Sequence, residues 1–554
     1  MRTWNLRGVG RARSAPGPAA RAGAAGMIFS LLLVACAGGA VEAPEGGANT
    51  TAGVETTAAA NPESGEESTL VVGVAADMEG LDGNALSDRP GRFIRANSFA
   101  TLLKRDVAAA LGPNVLTEWE YDQPNFTWTL TMRDDITFHN GEHATSADLK
   151  ATFDRYSNPD DPEILDDWWN IEETTIVDEY TVQVRMLADN PLVLLRGDNF
   201  YLLPKSWIDE IGPGIYAGTE PPPGAGPYRM LEWRQDDQII MEAFNDFWGG
   251  RPPIDNLIFR VVPDDASRVA GLRAGELDVV YPVPPALAES LTDPNLEIRQ
   301  VQSTLRTRIL MDTRQPPFDD IRVREAVNLA IDPQVIVDEL LPGALRVPGM
   351  LVSNDVGYDP DLPFYEHDPA RARELLAEAG YPDGLGSMEF SVNDENLRSG
   401  DEPLALVDQL GQVGIQLEPR VQPAGDFDNR ILEELNNPDS MGSIFLDGHY
   451  SGQTRHAAFT MSDIQPCGPD GVSTHEEHWY YCNTEVADLV AEAISLWATD
   501  EERSTEMFAE ANRLLRDDHW SAPLWNPFDN FGVKANLNWD ADLQMYMADA
   551  SWDE

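Results

Sequence analysis

The sequence predicts a mixed strand-and-helix protein of two or three lobes, carried to the outside of a cell membrane. Three observations support this. Residues Phe126 to Phe153 join an alternating strand, a tight turn and a capped helix. The 485 residues from Leu70 onward exceed what one hydrophobic core ordinarily serves. The first 36 residues hold five arginines and no carboxylate ahead of a short apolar run, the pattern of an export signal.

In chain order, Arg2, Arg7, Arg11, Arg13 and Arg21 precede an apolar run from Ala24 to Ala35 that ends at Cys36. Such a run falls short of the ~20 residues that span a bilayer, so it is a signal and not an anchor helix. Leu33-Val34-Ala35-Cys36 resembles a lipobox, which makes Cys36 a lipidation site and the start of the mature chain. Residues 37–69 are Ala, Gly, Thr, Glu and Pro with few large apolar side chains, and are expected to form a flexible tether. The folded part is expected to begin near Leu70, with Leu70 to Val74 as a buried strand.

In the Phe126 segment, Trp128, Leu130 and Met132 share one face of a period-two strand, and Asn140-Gly141 supplies residue types that tolerate positive φ. Thr145 and Asp148 make a capping box for a helix whose Leu149, Phe153 and Tyr156 recur at helical spacing. His139 and His143 flank the turn and are expected to face solvent or bond locally, with no chemistry assigned. Farther on, Asp320 caps a helix carrying Val323, Val327 and Ala330. Asp332-Pro333 opens the next, and Asp368-Pro369 repeats the device before Ala372, Leu375, Leu376 and Ala379, with Gly380 at the left-handed end.

Phe126 to Phe153 resembles the signature of ABC-transporter solute-binding proteins of family 5, the dipeptide, oligopeptide and nickel type. The likeness continues in order through Met78-Glu-Gly-Leu-Asp82, Pro223-Gly-Ala-Gly-Pro-Tyr228, Asn245-Asp-Phe-Trp-Gly-Gly250, Ala274-Gly-Glu-Leu-Asp278, Pro317 to Ala326, Ala330-Ile-Asp332 and Asp368 to Tyr381. This resemblance implies an α/β, two-lobed, periplasmic-binding-protein-like fold (type II, cluster C) with an extra subdomain in lobe one. Lobe I would take residues 70–306 with an insertion at about 99–215, lobe II 307–519, and a return segment 520–554 would complete lobe I. The resemblance also implies a monomeric receptor that closes over a solute and presents it to a permease and its ATPase, without a cofactor. A short peptide is the expected solute. An oligosaccharide or a nickel chelate is the alternative, and a sensor reusing the fold is a further one.

In peptide-binding relatives, the stretch matching Met441 to Tyr450 carries a tryptophan and an aspartate that takes the ligand's ammonium group. Asp447 falls on that aspartate, Ile444 on the tryptophan, and Gly448 to Ser451 on an acidic turn, so the pocket motif is altered here. Arg455 is the candidate for a ligand carboxylate, and Trp168, Trp169, Trp233 and Tyr450 are candidate aromatic platforms. Cys467 and Cys482 are expected to form a disulfide in an oxidising exterior. The alternative is a zinc site of Cys467, His475, His478 and Cys482, whose spacing departs from the usual finger.

The net charge of −55 becomes −60 once the signal's five arginines are removed, which repels nucleic acid and anionic membrane surfaces. Only Lys104, Lys150, Lys205 and Lys534 represent lysine, against 35 arginines. Acid excess with so little lysine predicts adaptation to salt, where screening relieves self-repulsion. No Gly-x-Ser-x-Gly elbow, His-Glu-x-x-His, Walker A loop or dinucleotide fingerprint occurs, which argues against a hydrolase or other enzyme.

Overall fold

The computed structural model describes residues 67–84, 89–105, 111–160, 170–435, 443–450, 455–461, 464, 467 and 481–553. Three sheets organise them. Seven strands form the first, in the order Leu296–Gln302, Phe528–Lys534, Val279–Tyr281, Thr69–Val74, Asn256–Val261, Gln238–Ala243 and Tyr228–Arg234. Its central strand Thr69–Val74 is parallel to both neighbours, and Leu70, Val72 and Val74 are buried, as a strand covered by other elements requires. The second sheet has six strands, ordered Leu345–Arg346, Ser521–Asn526, Leu305–Met311, Ile444–Tyr450, Leu385–Asn393 and Ile415–Gln422. The third is a four-stranded antiparallel sheet of Leu116–Asp122, Thr127–Met132, Thr181–Met186 and Ile171–Ile176, with its own core running from Phe99 to Ala225.

Within the third sheet, Trp128, Leu130 and Met132 point into that core while Thr127, Thr129 and Thr131 remain half-exposed. Gly141 takes φ 86° in the turn. Thr145 and Asp148 form the capping box of helix Ser146–Tyr156, whose Leu149, Phe153 and Tyr156 are buried. Asp320, Asp332 and Asp368 each accept a bond from a backbone N–H at the start of their helices. His139 departs from expectation. It is buried, with Nε2 3.0 Å from the carbonyl of Gly226, a partner 87 residues away. His143 is exposed, 3.3 Å from the Tyr180 hydroxyl.

The chain passes between the first and second sheets twice. Leu296–Gln302 lies in the first sheet and Leu305–Met311 in the second; on the return, Ser521–Asn526 lies in the second and Phe528–Lys534 in the first. The crossings fall at residues 303–304 and at Pro527, beside the boundary expected at about 306 and the return expected near 520–526, because both strand pairs run up to the crossing before changing partners. Thr69 and Ser68, ahead of Leu70, also belong to the fold, since Thr69 pairs with Asn256 and the Ser68 N–H donates to Asp255 at 2.7 Å. At the crossings, the Asn526 amide donates to the carbonyls of Ser303 (2.8 Å) and Leu305 (2.5 Å) and accepts from Gln302 (2.6 Å).

Candidate functional site

The junction of the two larger sheets gathers buried ionic groups. From the first sheet's side, helix Arg89–Ser98 presents Arg89, Arg92 and Arg95 at three-residue spacing, which places them along one helical face. Arg89 pairs with Asp529 at 2.9 Å, and the Tyr281 hydroxyl donates to the same carboxylate at 3.1 Å. Burial works against charge on Asp529, yet Arg89 and Arg398 hold its carboxyl below the usual range. Arg92 has its pKa lowered by burial and by its neighbours Arg89 and Arg95, with Asp198 opposing. Arg105 pairs with Asp198 at 2.7 Å and donates to the Leu195 carbonyl at 2.7 Å.

On the second sheet, antiparallel pairing sets Arg308 opposite Asp447, and Arg308 donates to one oxygen, Oδ2, from Nε (3.1 Å) and Nη2 (2.9 Å). The Arg308 guanidinium also lies 5.0 Å from the centre of the Trp520 ring. Two residues along, on the same strand face, Arg306 pairs with Asp355, and both are buried. Val356 donates its N–H to the Arg455 carbonyl at 3.1 Å, which brings Arg455 beside this pair. Arg455 is half-buried at φ 44°, a left-handed conformation uncommon for a long side chain. Burial lowers its pKa, Asp355 and Asp198 oppose that, and Arg105 reinforces it. Neighbouring His456 is buried and pushed down to about 3, so it is neutral near pH 7. Leu192 and Leu195 share one apolar cluster with Leu310, Phe445 and Ala457, so the two sides meet through packed side chains as well as charge.

The structure thus brings Asp447 and Arg455 to one junction, together with partners that sequence reasoning missed: Arg89, Arg92, Arg105, Arg306, Arg308, Arg398, Asp198, Asp355 and Asp529. The regular arginine spacing over residues 89–95 was the available signal for two of them, Arg89 and Arg92. Trp233 lies elsewhere, on the edge strand of the first sheet, with its indole N–H bonded to Asp77 at 3.0 Å. The Tyr450 backbone pairs with Leu305, and its side chain lies outside the described residues. Cys36, Trp168, Trp169, His475 and His478 also lie outside them. Cys467 and Cys482 are joined by a disulfide. Among the described residues, no group of three or more His, Cys, Asp or Glu could hold a metal ion.

Comparison with known proteins supplies the context for this junction. The family described as bacterial extracellular solute-binding proteins, family 5 Middle, matches residues 110–442, more than half of the chain. The glutathione-binding protein GsiB of Salmonella typhi is 29% identical over 470 residues, covering 83% of this chain and 88% of its own. In fold, the chain is similar to the transporter substrate-binding protein CtaP of Listeria monocytogenes, with TM-score 0.77, 21% identity, and 88% of this chain and 100% of that one covered. It is also similar to a dipeptide-binding protein of Pseudoalteromonas solved with Met-Leu, with TM-score 0.71, 19% identity and the same coverage. These likenesses, with the two cored sheets, make the fold a two-domain α/β architecture of the periplasmic-binding-protein kind. By its matched span, the chain belongs to the bacterial extracellular solute-binding proteins of family 5, which are binding proteins and not enzymes.

Proposed function

We propose that the protein is the receptor of an ABC importer for short peptides, enclosing its solute between two lobes and handing it to a permease and ATPase. The carrying observation is the junction itself, where buried groups of both signs lie between separately cored sheets joined by two crossings. A zwitterionic peptide needs both signs, and relatives of similar sequence or fold carry peptide ligands in their names. Asp447 would accept the ligand's ammonium on Oδ1 while Arg308 holds Oδ2, and Arg455 would meet a carboxylate. Tyr450, and Trp168 and Trp169 if they border the junction, would supply aromatic surface; Trp233, tied to Asp77 on the sheet edge, would serve packing.

On this reading the lobes meet at residues 303–304 and 527 and rotate about those crossings, in the manner of the type II, cluster C architecture. Cys36 would carry lipid and residues 37–66 would tether the receptor outside the membrane as a monomer. The Cys467–Cys482 bridge would leave no thiolate for zinc.

A thermal-shift screen of the full chain against peptide, oligosaccharide and nickel-chelate libraries tests this. A ligand at 100 times its dissociation constant adds about 2.7 kcal/mol. A peptide response weakened by Asp447→Ala is the expected outcome. A sugar or chelate response with silent peptides would overturn the peptide reading.

A further inference from the structure

The short helical turn Val193–Asn199 and the residue before it, in the insert that carries the four-stranded sheet, divide their apolar side chains between two cores. Val193 and Leu194 are buried in the insert's own core, with Trp128, Phe153 and Tyr201. Leu192 and Leu195 are also buried, but they belong to the cluster on the second sheet's side, with Leu310, Met350, Phe445 and Phe508. Leu111 packs against both clusters. The turn is held in this attitude from within the insert. Arg105 donates to the Leu195 carbonyl at 2.7 Å, the Tyr121 hydroxyl donates to Asp189 at 2.6 Å, and the Asn190 N–H donates to the Tyr121 hydroxyl at 3.1 Å. A polar contact joins the same two sides: the Gln123 amide donates to Asp189 at 3.1 Å and, across to helix Thr484–Leu496, to the Ser495 carbonyl at 3.0 Å.

None of these residues belongs to the crossings at 303–304 and 527, so they tie the insert to the second sheet's half at a further point. Rotation about the crossings would pull them apart and put two leucines into water. Burial of those leucines alone favours the docked arrangement by about a hundredfold or more. It does so in a chain of −55, whose like-charged halves repel each other. We propose that Leu192, Leu195 and Gln123 form a latch that keeps the junction shut before any solute arrives, so that solute enters through a less populated open form. This rests on the two-lobe reading above and not on the choice of a peptide.

Small-angle scattering and hydrogen exchange of the full chain, in 1 M KCl to screen surface charge and with no solute added, test it. Leu192→Ser combined with Leu195→Ser is expected to enlarge the radius of gyration and to speed exchange across Ala457–Met461 about tenfold or more. Thr69–Val74 and Thr127–Met132, each in a separate core, should exchange as before. Gln123→Ala, at a half-buried position, is expected to move both readings the same way by a smaller amount, and it is read alone should the double variant fail to fold by circular dichroism. Faster exchange at an unchanged radius would overturn the latch and make the contact ordinary packing, and no change in either reading would overturn it as well. The solute screen above stays independent of these outcomes. A peptide response beside an unchanged radius in the variants removes the latch and keeps the receptor; expansion of the variants with peptides, sugars and chelates all silent keeps the latch and removes the receptor.

Discussion

Arg306 and Asp355 show how much of this site is paired charge withdrawn from water, with side-chain exposures of 3% and 0%. Losing one partner leaves the other charge uncompensated, so Arg306→Met is expected to destabilise the fold by about 3–5 kcal/mol in urea unfolding. A loss below about 1 kcal/mol would show that water reaches Asp355. Asp542 offers a pH test. Burial raises its pKa to about 6, against bonds from the Gln544 and Tyr546 N–H groups and the nearby Lys104. A carboxyl whose folded pKa exceeds its unfolded one gives its greatest support below the unfolded value near 4, and that support is lost as pH rises through about 6. Asp542→Asn, which keeps the acceptor oxygen, should therefore raise stability at pH 7.5 by on the order of 1–3 kcal/mol and change little at pH 4, as read by melting temperature. The sequence made helix caps such as Thr145 with Asp148 legible because both partners lie within one turn. It hid Arg306–Asp355 and Arg308–Asp447, separated by 49 and 139 residues, because only the register of distant strands brings them together.

Among the elements, the loop Pro223 to Tyr228 shows what a fold motif does physically. A Cβ on Gly224 would fall 1.9 Å from the Ser98 carbonyl oxygen, and one on Gly226 2.7 Å from that of Asn97. The loop thus lies directly on the C-terminal end of the arginine-bearing helix, and the Gly226 N–H donates to Ser98 at 3.0 Å. Gly226→Ala must push helix and loop apart, with an expected cost of about 3 kcal/mol, at the upper end for overpacking. An unchanged urea midpoint would contradict that close approach. His139 braces the same loop, and burial pushes its pKa down to about 4. A histidine with a depressed folded pKa contributes stability above its unfolded value near 6.5, and that contribution is lost as pH falls toward 4. Sequence spacing placed His139 beside its turn correctly but could not reveal a partner 87 residues away.

For the whole molecule, charge decides behaviour in solution. A chain of −55 with four lysines is expected to repel itself at low ionic strength, so melting temperature should climb between 0.1 and 1 M KCl, where the Debye length contracts from about 10 to 3 Å. Indifference to salt would leave the arginine-for-lysine bias without a salt explanation. At this scale the sequence was most legible, because the family motifs recur in order through much of the chain and specify sheets, caps and close approaches. The solute was least legible, because the junction proposed to hold it is assembled from several distant segments. The clip formed by Asn526 at the double crossing has a mechanical consequence. Its amide holds both Ser303 and Leu305 of the opposite strand, so the two connecting strands cannot slide past each other without breaking those bonds. Relative motion of the two halves is thereby channelled toward a single bending coordinate, and sliding or unscrewing would first have to tear out a buried amide.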